Sequence, residues 1–164
     1  MAALFRQKPV GPPVECMRAP DHVFVYGSLL STVRGSLGER ERHCLRWNAH
    51  LVGRGIIPGR MHDLGHYPVA LIGTRPPLSA QAGYCPGNQI HGEVWRIRSA
   101  RPLLSVLDTY EGIDRPRPEY ARIGVEVTLT GAPGAGRKMT AWAYNYLGDV
   151  GHLPRIADGR WKIV

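Results

Sequence analysis

The sequence predicts an α+β domain in which several short strands curl into a sheet or small barrel, with one or two helices packed against it. Three observations carry this. Twenty glycines and fourteen prolines are spread along the chain, which suits many turns and few long helices. Runs rich in β-branched and aromatic residues recur between them, at "HVFVY" (22–26), "HGEVWRI" (91–97), "YARIGVEVTLT" (120–130) and "KMTAWAYNYLG" (138–148). The clearest helix is "SARPLLSVLDTYEG" (99–112).

With 164 residues, 43% of them apolar, the chain can close one core, burying roughly 70% of its extended surface without metal or disulfide support. The expected organisation is a single domain over 21–164 behind a flexible N-terminal arm, 1–20. The arm, "MAALFRQKPVGPPVECMRAP", has too short an apolar segment for a signal peptide or a membrane span, and no other apolar run approaches membrane length. Cys16, Cys44 and Cys85 are far apart, odd in number and without a CxxC pair. This argues against a disulfide framework or a structural zinc site and fits a reducing, cytoplasmic location. The net charge of +8 suits acidic partners. The arginines are scattered, however, with no lysine run and no stripe interleaved with aromatics, which argues against nucleic acid.

In chain order, "HVFVY" is a compact strand ending at "GSLLS". Residues 31–43, containing "GSLGERERH", suit a short helix with its charges in water. Residues 45–73 read as a meander of short antiparallel strands broken by Gly and Pro, and 74–90 as a polar loop. "HGEVWRI" is the next strand. In the helix 99–112, Ser99 suits the N-cap, Pro102 falls in the first turn where its missing N–H is not needed, and Gly112 suits the position after the end. "IDRPRPE" (113–119) is a loop, and the segments 120–130 and 138–148 form a hairpin around "GAPGAGR". The closing "DVGHLPRIADGRWKIV" carries no firm element signal.

Two segments carry possible chemistry. At about 100° per residue with Leu103 at zero, Leu107 falls near ~40°, Leu104 near ~100°, Tyr110 near ~340° and Val106 near ~300°, forming one apolar arc. Glu111 falls near ~80°, inside that arc, and Asp108 near ~140°, at its margin. A carboxyl among leucines is costly unless it is paired, hydrogen-bonded or facing a cavity. Partial desolvation there raises its pKa toward the range a general acid/base needs. The same spacing equally fits a frayed last turn that lets Glu111 reach solvent. Asp108 reads as structural, accepting bonds from nearby backbone. In "VFVYGSLLS", Gly27 permits a tight turn with consecutive N–H groups exposed, a cradle for an anion or a carbonyl oxygen, and Ser28 adds a hydroxyl. Taken alone, Y-G-S is an ordinary strand-ending turn.

Other motifs fail on context. "GAPGAGRKMT" (131–140) places Arg137 between Gly136 and Lys138, where a phosphate-binding loop needs glycine and lysine adjacent, and a strand follows where a helix is required. In "HDLGH", His62 and His66 would share a metal only on a helix, which Gly65 and the flanking strand signals oppose. His43 and Cys44 are neighbours in sequence and no GxSxG occurs, so cysteine or serine hydrolase chemistry has little support.

Taken together, "VFVYGSLL", "HGEVWRI", "LDTYEG" and "EYARIGVEV" resemble the γ-glutamylcyclotransferase-like family, which includes γ-glutamylamine cyclotransferases and the plant avirulence-induced-gene products. "PGRMHDLGHYPVAL" matches its middle strands, and the likeness covers residues 22–148. The resemblance implies a small mixed β-barrel with flanking helices and a cavity at the YGSL loop. It implies Glu111 as the catalytic acid/base, and Tyr26, Gly27, Ser28 and Leu29 as the substrate-holding loop. Tyr144 is implied as a late-strand aromatic lining the cavity, with Tyr146 and Tyr120 beside it. The implied substrate is a γ-glutamyl amide or peptide whose own α-amine attacks its γ-carbonyl, releasing 5-oxoproline and an amine without metal or cofactor. The segment "STVRGSLGERERH", the 74–90 loop and "IDRPRPE" depart from the family pattern where they would shape the cavity mouth. The alternative is a non-catalytic barrel that binds a small acidic metabolite or a protein partner.

Overall fold

The computed structural model describes residues 19–73 and 88–161. Most of the expected arm, most of the 74–90 loop, and Cys16 and Cys85 lie outside them. A strand with no polar face needs a core on each side. β1 (His22–Val25) is such a strand, with Val23, Phe24 and Val25 all buried, and it lies inside the sheet between two partners. It pairs antiparallel with β4 (Gln89–Ile97) and parallel with β6 (Lys138–Tyr146). β6 forms the expected hairpin with β5 (Tyr120–Leu129), β5 reaches β2 (Ala49–Asp63), and β2 returns to β4. The ring β2-β4-β1-β6-β5 is closed, so no strand edge is left open around it. β3 (Pro68–Ile72) and the two-residue β7 (Arg155–Ile156) pair with the far half of β2. The fold is the α+β mixed barrel that the sequence predicts, flanked by α1 (Glu39–Asn48) and α2 (Ala100–Tyr110).

Phe24, Ile57, Met61, Ile90, Val94 and Val127 are fully buried in one core cluster. Val23, Val25, Leu45, Trp95, Leu103 and Leu107 form a second one, which joins β1 and β4 to the two helices. Each fully buried aliphatic side chain contributes about 1.5–3 kcal/mol of transfer energy. The last three side chains of β1, Val23, Phe24 and Val25, thus divide between two cores, and the chain leaves the strand at Tyr26 with both sides fixed.

Several expectations change. The early helix spans Glu39–Asn48, not 31–43. Gly38, with φ 69°, turns the chain just before it, and the residues upstream are held as turns by side chains from elsewhere. Its charges are not all in water, because Arg42 is only 4% exposed. Residues 45–48 finish this helix, and 49–63 form one fifteen-residue strand, not a meander. The Gly and Pro residues do not break it, since a bulge between Leu51 and Gly53 absorbs one irregularity and the strand changes partners along its length. Pro58 lacks an N–H but its carbonyl still accepts from Gly73. The loop expected to run to 90 gives way to strand at Gln89. Ser99 sits at the N-cap of α2 but makes no side-chain cap bond. Its N–H is tied instead to the Asn48 carbonyl at the end of α1.

Candidate active site

Leu103 and Leu107 anchor α2 in the core, so the end of that helix is fixed in place. The Glu111 N–H closes the last turn on the Leu107 carbonyl (2.9 Å), and Glu111 keeps helical backbone angles. Gly112 then turns left-handed, φ 69°, letting its own N–H reach Thr109 and that of Ile113 reach Asp108. This is the stop a glycine after a helix provides. The last turn is therefore ordered and not frayed, and Glu111 is partly buried where the helix ends.

Glu111 lines a cavity of about 270 Å³. Tyr26, Gly27, Ser28 and Leu29, from the turn after β1, line it as well, as do Tyr144 on β6 and Tyr120 on β5. All the residues singled out from the sequence as site residues except Tyr146 thus line one space. Tyr146 packs edge-on against Tyr120, ring centroids 5.3 Å apart. A direct bond ties the two distant segments together: the Ser28 and Tyr110 hydroxyls are 2.9 Å apart, across 82 positions of sequence.

The turn itself is held from behind. Leu30 N–H donates to the Gly27 carbonyl, and Ser31 donates through both N–H (2.9 Å) and Oγ (2.6 Å) to the Glu93 carboxylate, which also accepts from Trp95 Nε1. Arg42 donates to the Ser28, Leu37 and Gly35 carbonyls. The N–H groups of Ser28 and Leu29 have no acceptor among the described residues. Buried amides seldom stay unpaired, so two adjacent free donors in a turn that lines the cavity suit an anionic or carbonyl oxygen.

Burial pushes the Glu111 carboxyl up to about 8, and the carboxylates of Glu119 and then Glu41 add to that rise. No hydrogen bond or ion pair to its side chain exists among the described residues. Burial also raises the phenols of Tyr26, Tyr110, Tyr120 and Tyr144, which therefore stay neutral hydroxyls at ordinary pH.

Asp108 is structural, but through side chains and not backbone. It accepts from Arg122 Nη1 at 2.8 and 2.6 Å and from the Tyr144 hydroxyl at 2.9 Å. The Tyr26 hydroxyl donates to the Tyr144 carbonyl at 2.7 Å, and the Arg122 guanidinium lies 5.0 Å from the Trp142 ring centroid. One aspartate on α2 thus sets the tyrosine floor of the cavity. Asp108→Ala should cost about 2 kcal/mol in urea unfolding, because it strands a partly buried guanidinium and a buried hydroxyl together. An unchanged midpoint would mean that water replaces the carboxylate at no cost.

Sequence reasoning missed several contributors. Tyr67, Pro68, Tyr110, Arg115 and Glu119 also line the cavity. Arg115 lies over Gly112, where a Cβ would come within 2.9 Å of its Nε, and pairs with Glu119 at 3.3 Å. The signal for Glu93 was present, an acid inside the β-rich run "HGEVWRI". Arg42 was hidden among four other charged residues, Glu39, Arg40, Glu41 and Arg46. The two histidines of "HDLGH" part company: His62 is buried on β2 with Nδ1 3.3 Å from the Leu153 carbonyl, and His66 is exposed. Among the described residues, no group of three His, Cys, Asp or Glu side chains is placed to hold a metal, and no helix is long and apolar enough to cross a membrane.

A family model described as gamma-glutamyl cyclotransferase, AIG2-like, matches residues 23–163. The chain belongs to this family. Among solved structures, Escherichia coli ytfP is 30% identical, with 85% of this chain and 95% of that one covered, at a TM-score of 0.51. YkqA from Bacillus subtilis, 18% identical, gives a TM-score of 0.53 over 87% of this chain, which spans 40% of YkqA's length. The uncharacterised PH0828 from Pyrococcus horikoshii, 17% identical, gives 0.51 over 85% and 87% of the two chains. The last two share the fold. No curated protein matches the chain. The family match accounts for the closed barrel.

Proposed function

We propose that this member of the γ-glutamyl cyclotransferase family is an active cyclotransferase, releasing 5-oxoproline and an amine from a γ-glutamyl amide or peptide. The observation that carries this reading is the Glu111 carboxyl: half-buried, without a protein partner among the described residues, and in the same cavity as the free N–H groups of Ser28 and Leu29. Such a carboxyl is expensive to keep, and proton transfer is what it is suited to do.

The α-nitrogen of the substrate forms a bond to its own γ-carbonyl carbon, closing a five-membered ring, and the amide C–N bond breaks. The ring nitrogen keeps one proton of the original ammonium. The other two end on the departing amine, which leaves as an ammonium ion. Glu111 takes a proton from the attacking nitrogen and returns one to the leaving nitrogen. A carboxyl at about 8 holds its proton more nearly as an amine does than an ordinary carboxylate would, so neither transfer is steeply uphill. The attack is intramolecular, and the cavity's remaining task is to hold the chain folded in its reactive shape. The loop N–H groups serve the substrate carboxylate or the developing oxyanion. The neutral tyrosines supply walls and hydroxyl donors. The test is direct: incubate the protein with γ-glutamyl amines and γ-glutamyl peptides and follow 5-oxoproline. No release from any of them would favour the binding-module alternative.

The base form of Glu111 grows as pH rises through its pKa. Below that value kcat/KM should therefore climb about tenfold per pH unit, levelling off above about 8. A profile that is flat between pH 6 and 8, or that falls as pH rises there, would remove Glu111 as the base.

A further inference from the structure

The lining of the cavity poses an electrostatic problem. It carries two carboxyls, Glu111 and Glu119, and one cation, Arg115, which is already paired with Glu119. Once Glu111 ionises, an incoming carboxylate meets net negative charge. Behind the loop lies a cation with no such partner. Arg42 is 4% exposed, and its acceptors are three carbonyls, those of Ser28 at 2.7 Å, Leu37 at 2.6 Å and Gly35 at 2.5 Å. No carboxylate among the described residues forms an ion pair with it. A buried guanidinium without a counter-ion is costly, and dipoles alone leave its charge in place.

That charge acts through one peptide. Within the Ser28–Leu29 peptide, C=O and N–H point in opposite directions. Arg42 draws on the carbonyl, and polarisation along the peptide strengthens the Leu29 N–H as a donor on the far side. Gly38 closes the space between the guanidinium and the helix that carries Glu111: a Cβ there would lie 3.1 Å from the Tyr110 hydroxyl and 3.4 Å from Arg42 Nη1.

We infer that Arg42 is a positioning residue whose uncompensated charge strengthens the Leu29 N–H as a donor, so that the preference of the Ser28–Leu29 turn for a carboxylate over a neutral group depends on it. This rests on the γ-glutamyl reading and deepens it. Arg42 itself touches no substrate.

The probes are 5-oxoproline and its carboxamide, two lactams that differ in one charged group, with binding to the full chain measured by calorimetry. Wild type should prefer the carboxylate by about tenfold or more, as a charge-assisted bond in a water-poor site does over a neutral one. Arg42→Gln should bring the two within about threefold, chiefly by weakening 5-oxoproline, since only the ionised ligand feels the lost charge. A merely structural clamp would weaken both ligands together and leave the ratio standing, which overturns the inference. Should Arg42→Gln fail to fold, Arg42→Lys keeps the charge while losing the three-way fork. It should keep most of the preference, and a folded Lys variant without preference overturns the inference equally. Wild type that binds neither lactam and turns over no γ-glutamyl compound defeats the underlying reading. Wild type that binds 5-oxoproline well, with the ratio unchanged in Arg42→Gln, defeats only the role of Arg42.

Discussion

Glu111→Gln should leave the barrel folded and lower the release of 5-oxoproline about a thousandfold, the scale general acid–base catalysis supplies. Glutamine keeps the size and polarity of the side chain and loses only the titrating proton. The same substitution should change stability in a direction that a damaged core would not. In the folded chain the carboxyl is pushed up to about 8, whereas in the unfolded chain it titrates near the ordinary glutamate value of 4.5. The folded state therefore binds more protons between those values, and wild-type stability falls as pH rises from 4.5 to about 8. Below the lower value both states are protonated and nothing is lost. Glutamine has no such dependence. The variant should match wild type near pH 4 and be more stable by about 3 kcal/mol at pH 8.5, a figure held below the full linkage value because solvent reaches the carboxyl. Urea midpoints at the two pH values measure this. A variant that is less stable than wild type at pH 8.5 would show that the carboxylate has a partner, and full turnover by the variant would dismiss Glu111 as the proton carrier.

The division between what could be read from sequence and what could not follows from the range of the forces involved. Period and punctuation are local, so β1, β4, α2 and the β5–β6 hairpin were legible within a residue or two. Glu111 was legible as an anomaly, a charge in an apolar arc, though its spacing could not decide between a cavity and a frayed end. The long strand β2 was not legible, because its glycines and its proline are made acceptable by partners far away. Gly55, for example, lies against Val127 and Val94. Arg42 could not be distinguished from its charged neighbours, since what sets it apart is a ring of carbonyls supplied by the turn before the helix. Asp108 was assigned a structural part with the wrong partners, because Arg122 and Tyr144 reach it from the hairpin. Residues whose role depends on closure of the barrel become visible only once it is closed.

Closure of the barrel leaves little room at Gly92, and Gly92→Ala should cost about 3 kcal/mol, more than a typical core truncation of one methylene. Gly92 lies on β4 opposite Gly55 of β2, and next to it Glu93 pairs with Val25 of β1. A Cβ at Gly92 would strike the Val25 carbonyl oxygen and come within 2.6 Å of the Phe24 ring. The ring can shift, but the carbonyl belongs to the sheet backbone, so β1 and β4 must part. At this chain length the loss corresponds to a fall in melting temperature of about 10 °C. The displacement would not stop at stability, because β1 ends one residue before Tyr26 and delivers the whole turn to the cavity. Binding of 5-oxoproline should weaken in the surviving folded protein, while the Glu111 pH profile, set at the other end of the cavity, should stay in place. Gly124→Ala serves as the comparison: it lies exposed on β5 with its nearest neighbour, Pro20 Cγ, 3.8 Å from the added carbon. That change should stay within about 0.5 kcal/mol of wild type. Equal stability of the two variants would mean that the close approach of β1 to β4 is not required, and with it would go the reason that the turn after β1 is held so firmly against the end of α2.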